Sequence, residues 1–273
     1  MPASKKRPTP ESLSLPLGGI DTHAHLDLPE LQNDIRETLA TAHETGLAYI
    51  GNVFLGPRSY TENRTLFDLY PNIFFILGMH PHNAQAVDEA CLARIQNVLE
   101  HDERIKALGE IGLDYFRDHA PHNVQQKAFQ AQLELAKDLD RPVVIHSRAA
   151  EEDTFAVLDQ VGFDHRPLLW HCFGGGQELA AEILRRGWMI SIPGTVTFSK
   201  AKDLHQAVQS IPLSRMVLET DCPFLTPEPY RSKRNEPAMV AFTARKVAAL
   251  RDEDISQVWL QAGRNAQEFF GLG

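Results

Sequence analysis

A (β/α)8 TIM-like barrel is the fold class this sequence predicts, and three observations predict it. Eight short apolar runs recur along the chain, stretches with helical spacing separate them, and the 273 residues match the length of one closed α/β barrel. Short buried strands alternating with amphipathic helices build βαβ units and therefore a parallel sheet. Eight such units favour closure over an open doubly wound sheet.

In chain order, residues 1–17 carry Lys5, Lys6, Arg7 and four prolines, have little to bury, and read as a flexible N-terminal arm before a single domain over 18–273. The candidate strands are Gly19 to Ile20, Ala48 to Leu55, Ile73 to Met79, Ile105 to Leu108, Pro142 to Ile145, Leu168 to Trp170, Trp188 to Ile192 and Met216 to Leu218. The first and seventh give the weakest signal, so a distorted, seven-stranded barrel is the alternative. Leu31, Ile35, Leu39 and Ala42 mark one helical face, and Phe129, Leu133, Ala136 and Leu139 mark another. Beyond the eighth run a proline-rich loop, Pro223 to Pro237, leads to helical patterns over Val240 to Leu250 and Ile255 to Phe270 that close and cap the barrel.

Composition narrows the partners. The net charge of −9 argues against wrapping a nucleic acid by bulk electrostatics, so any polyanion must be held locally. No apolar run approaches the roughly 18 residues needed to span a bilayer, and MPASKKRPTP lacks the apolar stretch of a secretory signal. Cys91, Cys172 and Cys222 are odd in number and widely spaced, which implies neither a disulfide framework nor a thiolate zinc site. A cytoplasmic protein with no membrane contact and no obligate protein partner is the expectation.

The most informative residues stand directly after the apolar runs. His23 and His25 come after the first, Glu110 after the fourth, His146 after the fifth, His171 after the sixth and Asp221 after the eighth. In a barrel all six lie at the C-terminal mouth, where active sites of this fold assemble. Residues i and i+2 of a strand share a face, so the imidazoles of His23 and His25 can close on one ion. A set of imidazoles and carboxylates with no thiolate suits a binuclear hydrolytic centre of two divalent ions, with Glu110 bridging. Four imidazoles favour Zn²⁺ or Mn²⁺, whereas Mg²⁺ prefers oxygen ligands.

Other residues carry secondary expectations. Cys172 and Cys222 adjoin two ligands but face away on an alternating strand, so they pack. Glu219 shares parity with Asp221 and can orient a ligand histidine. His80 and His82, in LGMHPHNA, contact substrate, shuttle protons or are solvated loop residues. His43, His101, His119, His122, His165 and His205 are read as surface. Arg148 shares the face of His146 and can fork onto a phosphate. Tyr230, Arg231, Lys233, Arg234 and Asn235 form a basic cluster near the mouth that can supply further phosphate contacts, and Gly174 to Gly176 offer either close backbone approach or a plain turn.

DTHAHLD, GEIGLDY, IHSR, HCFGG, LETDCPFL and YRSKRNEP, in that order over residues 21–237, resemble the TatD-type metal-dependent deoxyribonucleases. The resemblance implies a metallo-dependent hydrolase barrel with a two-metal site and hydrolysis of DNA phosphodiesters, including 3′ to 5′ exonuclease trimming of single-stranded or 3′ ends. It also implies Mg²⁺-supported activity, and His23, His25, Glu110, His146, His171 and Asp221 as ligands. One departure is visible, Ser232 where the family's basic loop usually has glycine. The expected chemistry is a water activated between two metals, with Asp221 taking its proton. The alternative is a binuclear amidohydrolase or ester hydrolase acting on a ring amide, lactone or aminoacyl ester. Many such barrels bridge their metals with a carboxylated lysine on the fourth strand, where this chain has Glu110.

Overall fold

Eight parallel strands lie in sequential order around a nearly closed barrel in the computed structural model, which describes residues 7–273. They are β1 (Gly19–Ala24), β2 (Leu47–Leu55), β3 (Ile73–Gly78), β4 (Ile105–Asp114), β5 (Val143–Arg148), β6 (Leu168–Trp170), β7 (Met189–Ile192) and β8 (Met216–Leu218). Every predicted run is a strand. The seven-stranded alternative fails because β7 pairs with both β6 and β8. β3 is apolar and buried throughout, as a parallel strand covered on both faces must be. The ring closes at the mouth, where the chain just past β8 reaches β1: Ala24 bridges to Cys222, Asp221 N–H donates to His23 O at 2.9 Å, and His25 N–H donates to Cys222 O at 2.8 Å.

The helices are α1 (Pro29–Gln32), α2 (Ile35–Glu44), α3 (Pro57–Asn63), α4 (Glu89–His101), α5 (His122–Asp138), α6 (Glu151–Val161), α7 (Gln177–Arg185), α8 (Lys202–Ser210), α9 (Val240–Arg251) and α10 (Ile255–Phe270). The face marked by Leu31, Ile35, Leu39 and Ala42 is shared by two helices, because Asn33 and Asp34 interrupt it and Asp34 is held from outside by Arg234. Two apolar layers result. The larger fills the space between strands and helices, and the smaller fills the barrel bore with Ile20, Val53, Phe74, Ile76, Ala107, Val144, Leu169, Met189 and Val217. Every strand contributes to the bore.

α10 plugs the N-terminal end of the bore with Ala266 and Phe270, the latter 4.6 Å from Phe74 between ring centroids. It approaches β1 so closely that a Cβ on Gly263 would meet Gly18 O and one on Gly19 would meet the Trp259 indole. Only glycine fits at that crossing. With this end sealed, the C-terminal mouth is the open one.

The arm expected over 1–17 needs correction where it is described, while Lys5 and Lys6 lie outside the described residues. From Arg7 to Leu17 the chain is docked: Leu15 is buried, Pro16 O accepts the Trp259 indole N–H at 2.9 Å, and Pro8 O accepts the Tyr230 hydroxyl at 3.2 Å. Among the described residues no helix is long and apolar enough to cross a membrane, and the three cysteines are unpaired.

Candidate metal centre

Strand parity carries two of the six expected donors inward. Val144, Leu169 and Val217 point into the bore, so His146, His171 and Glu219 two residues later do so as well, whereas Asp221, past the end of β8 at φ 57°, is placed by the turn that follows the strand. The other donors arrive differently. Ile20 and Ala107 are the inward residues of β1 and β4, yet His23 and Glu110 lie at odd spacing from them. The ladder slips between Asp21 and Ala24 and between Gly109 and Ile111, and each slip turns the next side chains into the mouth.

All six meet around Glu110, which is buried. Its Oε2 lies 3.3 Å from His23 Nε2 and 3.9 Å from His25 Nε2, and Asp221 Oδ1 faces the same two nitrogens at 3.9 and 3.4 Å. Its Oε1 lies 2.7 Å from His146 Nδ1, 3.4 Å from His171 Nε2 and 3.5 Å from His80 Nε2. One carboxylate thus presents one oxygen to each of two imidazole sets.

The donors fit a divalent cation on an observation that hydrogen bonding cannot explain. His23 is fully buried, and neither ring nitrogen has a hydrogen-bond partner among the described residues. An imidazole sealed from water without a partner is costly, and a cation at Nε2 removes that cost. Its neighbours are oriented from behind, as ligand histidines usually are. His25 Nδ1 is 3.2 Å from Val53 O, and His171 Nδ1 is 3.0 Å from Glu219 Oε2. Glu219 therefore plays the orienting part its parity suggests.

Asp114 is a member of the site that the sequence reading omits. It is buried at the end of β4, with Oδ2 3.2 Å from His146 Nε2 and 2.9 Å from His82 Nε2. The signal is there, since Asp114 lies four residues beyond Glu110 on the same strand. His80 also joins the cluster, but its Nδ1 accepts the His82 backbone N–H at 3.2 Å. In the neutral ring Nε2 then carries the proton and points inward as a donor. Burial holds His80 down at about 4, so the ring is neutral at pH 7.

The expectation that Cys172 faces away fails. β6 ends at Trp170, and at Cys172 the backbone turns through φ 50°, so strand alternation no longer applies. Its thiol comes within 4.8 Å of donor atoms of His171 and Asp221. Burial, reinforced by the charges of Asp221, Glu219 and Glu110, pushes it well up, which keeps it protonated and a poor ligand. Cys222 is buried and packed, as expected.

The basic loop needs two corrections. Arg234 is spent on intramolecular pairing, forking onto Asp34 at 2.7 and 2.8 Å and reaching Glu236 at 2.8 Å. Asn235 is fully buried, donating to Thr220 O at 2.9 Å and to Phe224 O at 2.5 Å, so it shapes the Asp221–Phe224 turn. Arg148 and Arg231 are exposed, and no carboxylate among the described residues pairs with either. Ser232 holds φ 70°, the left-handed conformation that glycine adopts most readily, so the loop keeps that shape without it. Among the histidines read as surface, His205 is half-buried, with Nε2 2.7 Å from Val196 O.

Burial disfavours protonation of His25, but the Asp221 hydrogen bond and the charges of Asp221 and Glu110 push it up to about 9. His146 is raised to about 9 against the same burial by Asp114 and Glu110. Without a cation both rings are charged at pH 7, and a cation must displace those protons. Metal binding at pH 7 is therefore expected to release protons and to tighten as pH rises toward 9. In the metal-free protein the linked stability has the opposite sign: it is fully present below about 6.5 and fades as pH climbs through 9. Calorimetric titration in two buffers of different ionisation enthalpy checks this, and an identical heat in both would refute it.

A parallel barrel with a buried imidazole and carboxylate cluster suited to divalent metal at its C-terminal mouth is the architecture of a metal-dependent hydrolase. Comparison with known proteins specifies which. Residues 20–271 match the family model described as TatD related DNase. The chain is 36% identical over 252 residues to the uncharacterized metal-dependent hydrolase YabD of Bacillus subtilis, covering 92% of this chain and 98% of that one. It is 35% identical over 246 residues to the uncharacterized metal-dependent hydrolase YcfH of Escherichia coli K12, covering 88% and 91%. The crystal structure of the TatD homologue YjjV from Escherichia coli K12 superposes with a TM-score of 0.87 at 28% identity over 93% of this chain and 98% of that one. The chain belongs to the TatD family of metal-dependent hydrolases.

Proposed function

We propose that this hydrolase cleaves DNA phosphodiesters, trimming single strands from the 3′ end with two divalent ions. The observation that carries the reading is the division of Glu110, one oxygen toward His23, His25 and Asp221 and the other toward His146 and His171. That spacing suits two cations sharing one phosphate. The guanidinium groups of Arg148 and Arg231, with no carboxylate partner among the described residues, supply the local positive charge that a chain of net charge −9 otherwise lacks.

One ion would be held by His23, His25, Glu110 and Asp221, the other by Glu110, His146 and His171. Bound there, divalent ions supply acidification of the attacking water and neutralisation of phosphate charge. The remaining work falls to the chain. Asp221, at the rim of the cluster, takes the proton of the attacking water. His80 Nε2–H donates to a phosphate oxygen, and Arg148 offsets charge gathering there as the bond to the leaving 3′ oxygen breaks. Three unpaired cysteines suit a reducing compartment such as the cytoplasm.

The test is product analysis by mass spectrometry on a 5′-labelled single-stranded DNA, incubated with EDTA or with Mg²⁺, Mn²⁺ or Zn²⁺. The expected result is a metal-dependent ladder shortening from the 3′ end. An oligonucleotide untouched under every metal, beside turnover of a cyclic amide or aminoacyl ester, would replace this reading with the amide or ester hydrolase.

A further inference from the structure

Five large apolar side chains are exposed among the described residues, and their distribution is uneven. Leu17 and Leu69 precede β1 and β3, at the sealed end of the barrel, and Leu66 lies in the turn after α3. The two aromatic ones, Phe116 at 63% exposure and Phe224 at 51%, both lie at the open mouth. Phe116 comes after β4 and Phe224 after β8, which are opposite strands of an eight-membered ring. The metal-ligand cluster lies between them.

Neither ring hangs on a loose loop. The backbone N–H of Phe116 donates to Asp114 Oδ1 at 3.0 Å and that of Arg117 to the same oxygen at 2.9 Å, while Asp114 Oδ2 faces His146. The backbone N–H of Phe224 donates to Asp221 O at 2.9 Å, and its carbonyl accepts from the buried Asn235. Both rings are thus anchored through residues that belong to the cluster or touch it. Phe224 stands edge-on to His25, with centroids 6.2 Å apart, and the Arg148 guanidinium lies 4.0 Å from the centroid of Phe116. At Phe116 the guanidinium lies over one face of a ring that is still exposed, so the open part of the ring can take a base while Arg148 meets the phosphate.

We propose that Phe116 and Phe224 are stacking platforms for unpaired nucleobases, one on each side of the bond to be cut. They hold the single strand proposed above by its bases as well as by its phosphates. This rests on the phosphodiesterase reading above and names the residues that position its substrate. Bases paired in a duplex are covered on both faces by their neighbours and are not free to lie on either ring. Every base has a π-face, so the platforms impose little sequence preference.

The test uses the whole protein with Phe116→Leu, Phe224→Leu, the double variant, Phe224→Tyr and Leu69→Ala. Two readouts are taken on a single-stranded oligonucleotide carrying 2-aminopurine near its 3′ end: KM for metal-supported cleavage, and emission of the base analogue on binding in EDTA at low salt. Stacking is worth about 1–3 kcal/mol per base, so each leucine variant is expected to raise KM about tenfold and to change emission from the wild-type bound value. Tyrosine at 224 keeps both readouts, because it retains the ring. Leu69→Ala keeps both, because that end of the barrel meets no substrate. Wild-type cleavage with leucine variants that retain KM and emission would overturn the platforms and leave the nuclease reading standing. A wild-type protein that neither binds nor cleaves the oligonucleotide would overturn both.

Discussion

Asp221→Asn is expected to lower metal-supported phosphodiester turnover by about 10²–10⁴-fold while leaving the affinity for single-stranded DNA near the wild-type value. Asparagine keeps the shape and one oxygen but cannot accept a proton. The position tolerates the change structurally, because the backbone N–H of Asp221 pairs with His23 O whatever the side chain. Its Oδ1 lies 3.4 Å from His25 Nε2, and loss of that charge also lowers the affinity for an ion beside His25. Excess metal therefore separates the two effects. Turnover that returns at saturating metal would make Asp221 a ligand only, and turnover that stays low would make it the proton acceptor. A variant with near-normal turnover at ordinary metal concentration would remove it from both roles.

Glu110→Gln is expected to have the larger effect on the site as a whole, reducing metal affinity by at least about a hundredfold and turnover with it. Five imidazoles surround this carboxylate within 3.9 Å. Burial alone would raise Glu110, but the field of the His171 and His80 rings, the hydrogen bond from His146 and the close approach of His23 Nε2 hold it well below the usual carboxylate range. It is ionised at every physiological pH. Its contribution to stability is present above the ordinary carboxylate value and is lost only as pH falls through the depressed one. Glutamine supplies no charge for two cations to share, and its NH₂ group adds a donor beside His25 and His146, rings that are protonated when no ion is bound. Metal content per chain, measured by plasma mass spectrometry after dialysis against a dilute metal buffer, checks the prediction. Wild-type occupancy in the variant would show that Glu110 does not bridge.

The legible part of the site is the part that strand alternation governs. His146, His171 and Glu219 stand at even spacing from inward residues, and the apolar runs that end in them mark their strands. Asp114 is equally legible, four residues past Glu110, but in GEIGLDY the first carboxylate alone stands at the end of the apolar run. The basic loop misleads for a definite reason. Composition cannot distinguish a guanidinium aimed at solvent from one already neutralised, and Arg234 finds Asp34 about two hundred residues earlier in the chain. Asn235 is likewise a polar residue whose partners, Thr220 O and Phe224 O, are set by a turn the sequence does not specify.

Periodicity belongs to the sequence: where strands and helices lie, that eight units close, and which residues stand at the strand ends. Each of these rests on local patterns of burial that a segment carries in its own residues. Which of those strand-end residues face one another is settled only in three dimensions. Two ladder slips, in β1 and β4, turn His23 and Glu110 inward against the parity of Ile20 and Ala107. Closure of the ring brings Asp221 against His25 from the far end of the chain. Register between strands is a property of pairs, and no single strand contains it.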